Sequence, residues 1–161
     1  MRTTFQRLFV AGTVVTMSVV ADAQPRSMKL WAGTWMRNVA KSTFEPGPRP
    51  KTAQIVRHEI VNGLLYVTTD GFDSEGQSVH TVAIVTFDET ERAVVGAAQP
   101  TTRVYRWIDE RTFEGVTRIS GQVTTTTRYA LAADGKTHTL TTKGKNTQGQ
   151  AVNDVVVYER R

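Results

Sequence analysis

An all-β chain, folded as a single antiparallel up-and-down β-barrel of about eight to nine strands, is what this 161-residue sequence predicts. Runs of β-branched and aromatic residues alternate with clusters of Gly, Asn and Asp, and no segment after residue 23 sustains a helical period. Two dipeptides between such runs, Asn62-Gly63 and Asp134-Gly135, are hairpin signals, because a type I′ turn needs positive φ at both central residues. The runs place strands at Thr34–Val39, Ala53–Val61, Leu64–Thr69, Val79–Phe87, Thr101–Ile108, Thr112–Ile119, Val123–Ala132, His138–Lys143 and Val152–Glu159. Asp88–Glu91 and Asp109–Arg111 read as further tight connections.

Residues 1–23 predict an export signal, leaving residues 24–161 as the barrel domain. Arg2 and Arg7 form a basic start, Leu8–Val20 is a short apolar run, and Ala21-Asp22-Ala23 fits a cleavage site before Gln24. The run is shorter than the roughly 20 apolar residues of a membrane span, so a soluble periplasmic or extracellular domain without a stable membrane span is expected. The chain has no cysteine, which removes disulfides, thiolate ligands and a lipid-modified N-terminus. Cleavage removes two arginines and one aspartate, taking the net charge from +5 to +4. The densest basic region, Arg103–Arg111, also carries Asp109 and Glu110, so no basic stripe marks a nucleic-acid partner.

One internal echo supports the meander. TTDGFDSEGQSV (Thr68–Val79) returns as TTKGKNTQGQAV (Thr141–Val152), each between two predicted strands and each preceded by a tight turn. Duplication and reuse of one turn chemistry both account for it. Asp70, Asp73 and Glu75 in the first copy could hold calcium, but the second copy has Lys143, Asn146 and Gln148 at those places. The spacing therefore reads as turn geometry.

Gly33-Thr34-Trp35 resembles the Gly-x-Trp motif on the first strand of the calycin superfamily of lipocalins and fatty-acid-binding proteins. The resemblance implies that Trp35 lies across one barrel end with a late basic residue packed on it, Arg160 first and Arg128 second. GTWMRNVAKSTFEPGPRPKT, DERTFE, DGKTHTLTTKG and GQAVNDVVVYER resemble a group of bacterial exported proteins with a lipocalin-like barrel. That resemblance implies a fold and a location but no chemistry. In such a barrel the Lys41–Pro50 loop crosses the barrel end, with Phe44 either plugging the cavity mouth or, the safer reading, packed beneath the loop. The ending VVVYERR resembles the last strand of intracellular fatty-acid-binding proteins, in which Arg-x-Tyr precedes an acidic residue. Tyr158 and Glu159 match, but Val156 occupies the arginine position, so the carboxylate clamp does not carry over.

Catalytic constellations are scarce. His58, His80 and His138 fall on three different predicted strands, outside any His-Glu-x-x-His pattern, and Ser78 and Ser120 lack a nucleophile-elbow setting. No metal and no cofactor is expected. A binding face is better supported: Arg103, Tyr105 and Trp107 alternate along one strand and share a face, where a cation beside two amphipathic rings can orient a carboxylate, a phosphate or a ring. The same residues can equally fill a solid barrel, and Thr124–Thr127 reads as β-propensity. The expected function is non-catalytic binding of a small amphipathic or hydrophobic molecule inside the barrel. The alternatives are a protein-binding or inhibitor module acting through the loops, and an isomerase or cyclase on this fold.

Overall fold

The structure, a computed structural model, describes residues 24–161 except residue 74; the expected export signal lies outside the described residues. A short helix, α1 (Gln24–Trp31), leads into ten strands: β1 (Gly33–Thr43), β2 (Ile55–Val61), β3 (Leu64–Phe72), β4 (Ser78–Val85), β5 (Arg92–Val95), β6 (Thr101–Asp109), β7 (Thr112–Ile119), β8 (Gln122–Leu131), β9 (Thr137–Lys145) and β10 (Ala151–Arg160). Each strand pairs antiparallel with the next, and β10 returns to β1 through pairs running from Trp35↔Arg160 to Asn38↔Val157. The result is a closed barrel with no free sheet edge among the described residues. Among the described residues no helix is long and apolar enough to cross a membrane.

Two features correct the sequence reading. The barrel has ten strands rather than eight or nine, because β5 falls in residues 92–100, a stretch to which the sequence pattern assigns no strand. It is four residues long and holds each neighbour through two register pairs, Val82↔Val95 and Ala83↔Val94 on one side, Arg92↔Arg103 and Ala93↔Thr102 on the other. A run that short shows no alternation from which to recognise it. The helix α1 likewise leaves no mark in the sequence pattern. Eight residues are below the length at which helical period or propensity is informative, and this helix is held by what it packs against.

All connections from even to odd strands gather at one end, the floor, and those from odd to even strands at the other, the mouth. At the floor Asn62 and Gly63 take φ of 51° and 77°, the type I′ geometry their identities call for. Asp134-Gly135 differs from expectation: only Gly135 has positive φ, 68°, within a longer turn closed by Ala132 N–H donating to the Thr137 carbonyl at 2.9 Å. The two echo segments make the same turn at the mouth. The Asp73 side chain accepts from the N–H groups of Glu75 and Gln77 (2.9 and 2.8 Å), and Asn146 accepts from Gln148 and Gln150 (3.0 and 2.9 Å). Asp73 is thus a turn cap interchangeable with asparagine. Asp70 instead pairs with Arg57 and His80 on the outer wall.

The interior is filled at the floor and hollow towards the mouth. Trp31, Trp35, Leu65, Val85 and Phe113 are all fully or almost fully buried and close the floor, with Trp31 delivered by α1. Above them lies a cavity of about 640 Å³ that reaches the mouth.

Candidate functional site

The two-residue period of β6 turns Arg103, Tyr105 and Trp107 inward, but they lie at different depths. Arg103 and Tyr105 border the cavity. Trp107 does not: it packs at the floor, stacked on Phe87 at 3.9 Å between ring centroids and edge-on to Phe113 at 5.6 Å. The expectation that it lines the cavity is corrected by this depth. Gly115, the register partner of Tyr105 on β7, makes the room above the floor. A Cβ there would stand 2.9 Å from the Tyr105 ring and 3.4 Å from that of Tyr129, so a larger residue would push both rings across the cavity.

Arg103 is the charge at the centre of the site. What surface it keeps faces the cavity, and its Nε has no hydrogen-bond partner among the described residues. Its register neighbour Arg92 turns away, donating to the Thr86 hydroxyl at 2.9 Å and pairing with Asp88 at 3.5 Å. Burial alone would weaken the hold of Arg103 on its proton, but the oxygens of Tyr105, Tyr129 and Tyr158 more than reverse this, and its pKa is raised. Burial raises Tyr129 and pushes Tyr158 up to about 12, so both face the cation as neutral dipoles. None of the described residues lining the cavity is Asp or Glu, while Lys145 adds a second cation at the mouth. The cavity is therefore apolar in much of its wall and positive in its field.

The floor is a cluster of rings around one carbonyl. The Trp31 carbonyl accepts from Trp35 Nε1 at 3.0 Å and from His58 Nδ1 at 3.1 Å. Because a carbonyl only accepts, neutral His58 carries its proton on Nδ1 and leaves Nε2 as an acceptor. The guanidinium carbon of Arg160 sits 4.1 Å from the Trp35 ring centroid, and its nitrogens donate to the carbonyls of Leu30 (2.7 Å), Ala32 (2.6 Å) and Gly135 (2.8 Å). Arg160 thus caps the C-terminal end of α1 while covering the indole. Arg128, the second candidate, is exposed on the outer wall opposite Glu114. The motif glycine has a direct cause: Gly33 has φ 135°, and a Cβ there would lie 2.6 Å from an Arg160 nitrogen.

His138 completes the floor. Its ring stacks on Trp35 at 4.5 Å and meets Tyr158 edge-on at 5.0 Å and His58 at 5.6 Å. Both histidines border the cavity and are held well below their ordinary pKa by burial first, His58 at about 4, with Arg160 adding to the shift at each. The third histidine is remote: His80 is exposed, with Nδ1 2.7 Å from Asp70. Phe44 lies 5.9 Å from the buried guanidinium of Arg37, and its loop runs along β10, where Glu45 N–H donates to Asp154 at 2.8 Å. No family model and no curated protein matches the chain.

Proposed function

We propose that this chain is an exported, lipocalin-like barrel that holds a small amphipathic anion inside its cavity without converting it. The observation that carries the reading is Arg103, a half-buried cation whose covered Nε has no partner and whose cavity wall has no carboxylate among the described residues. A charge withdrawn from water is costly unless an opposite charge or strong acceptors meet it. An entering carboxylate or phosphate supplies that partner, while Val56, Val67, Val85 and Leu140 receive an apolar body. The volume suits a molecule of metabolite to lipid size. An open cavity favours this over a module that binds proteins through its loops. Export to the periplasm or beyond rests on the sequence of residues 1–23.

A thermal-shift panel of carboxylic acids and their neutral alcohol or amide analogues tests the reading. The acids should raise the melting temperature more than their neutral partners, since a ligand at a hundredfold excess over Kd stabilises by about 2.7 kcal/mol. The ligand should also be recovered chemically unchanged, which separates a carrier from an isomerase or cyclase. No shift from any acid contradicts the reading.

A further inference from the structure

We infer that the floor is a second polar subsite, in which His138, with His58 beside it, hydrogen-bonds a hydroxyl on the ligand, making the occupant a hydroxylated amphipathic acid. The inference rests on the carrier reading above and adds the chemistry of the ligand's other polar group. His138 keeps 2% of its surface exposed, yet neither Nδ1 nor Nε2 has a partner among the described residues. A neutral imidazole has one donor and one acceptor, and buried polar groups without partners are rare enough in folded proteins that each needs a cause.

Among the described residues no floor group lies within hydrogen-bond distance of His138, and the two unspent ones, Trp31 Nε1 and His58 Nε2, stand on rings whose centroids are 5.5 and 5.6 Å away. Trp35 Nε1 and His58 Nδ1 are both spent on the Trp31 carbonyl, and the Tyr158 hydroxyl donates to Gln54 Oε1 at 2.7 Å. Trp31, Trp35 and Tyr158 present rings to His138, not acceptors. His138 and His58 both border the cavity, with the two His138 nitrogens covered just behind its wall, so a hydroxyl reaches them as the ring turns. A hydroxyl fits what waits there, because it donates to an imidazole lone pair and accepts from an imidazole N–H in one group. An ammonium could not accept, and would stand in the field of Arg103 and Arg160. A second carboxylate would face imidazoles that burial keeps neutral.

Calorimetric titration with two matched pairs tests this: decanoate against 10-hydroxydecanoate, and 3-phenylpropanoate against 3-(4-hydroxyphenyl)propanoate. In at least one pair the hydroxylated acid should bind about five- to tenfold tighter, the range for one net hydrogen bond. His138→Phe should erase that preference and still bind the plain acid, and His138→Gln, which keeps a donor and an acceptor, should retain part of it. Without ligand, His138→Phe should melt no lower than the wild type, because no hydrogen bond is lost. Should that variant not fold, the nitrogen resonances of His138 in the wild type give the same answer: the hydroxylated acid should move them and the plain acid should not. Equal affinities within both pairs, as expected if water alone satisfies His138, would overturn the inference and leave the carrier reading standing. A preference that survives His138→Phe would also overturn it. Failure of every acid to bind removes both.

Discussion

Trp35 joins three parts of the molecule: its indole is covered by Arg160 from β10 and stacked on His138 from β9, and its Nε1 bonds the end of α1. Trp35→Ala should therefore cost about 3–5 kcal/mol in urea denaturation, the range for truncating a buried large aromatic. Arg160→Ala should cost less, about 1–2 kcal/mol, because its bonds to the helix carbonyls are solvent-exposed. The histidines set a pH dependence. The unfolded chain binds a proton at His58 near pH 6.5, whereas the folded chain holds out to about 4. Between those values the unfolded state carries more protons, so stability is full above pH 6.5 and falls as pH drops through the window. The loss from His58 alone is roughly 3 kcal/mol, with His138 adding in the same direction. Urea titrations at pH 7.5 and 4.5 should show it, and His58→Phe should flatten the slope. The motif glycine and its tryptophan were legible from sequence, since both identities follow from one close approach to Arg160. The unpartnered state of His138 was not, because it depends on what three other strands spend their donors on.

At the scale of the element, β5 is the weak stave. Its two register pairs on each side leave little ladder to protect, so amides of Ala93 and Val94 should exchange with deuterium faster than those of Gly115 and Val116 on β7. Equal protection of the two strands would contradict this. The same shortness explains what the sequence reading missed. In a meander each strand reverses the direction of the last, so omitting four residues inverts every later strand. Counted with nine strands, the Asn62-Gly63 and Asp134-Gly135 turns fall at opposite barrel ends; with ten, both lie at the floor. His58 precedes Asn62 and His138 follows Asp134 by the same four residues, so the correct strand count alone would have brought the two histidines to one end. Depth on β6 was hidden for a related reason. Alternation put Arg103, Tyr105 and Trp107 on one face, but those positions span about 13 Å of strand, enough to pass from open cavity into packed floor.

The described residues, taken together, form a cup: a ring of ten strands stopped at the floor by a helix and a cluster of aromatic rings, and hollow above. All-β class, closure and antiparallel order were legible because turn chemistry and alternation repeat along the chain. Whether the interior was hollow was not, because it turns on Gly115 standing between two tyrosines on its neighbouring strands. The cup's central property is a positive interior around a cation with no carboxylate partner in the described cavity wall, and Arg103→Met isolates it by keeping most of the side chain's bulk while removing the charge. Trp107→Ala serves as a control: it should lower stability through lost packing against Phe87 and Phe113 and leave acid binding in place. The most direct measurement is a calorimetric titration of the wild type and Arg103→Met with decanoate and with decanol. The account predicts one decanoate per barrel in the wild type, binding weakened by tenfold or more in Arg103→Met, as for loss of a charge-assisted bond worth about 1.5–3 kcal/mol, and decanol binding alike to both. Decanoate affinity unchanged by Arg103→Met, or no binding of either molecule, would contradict it.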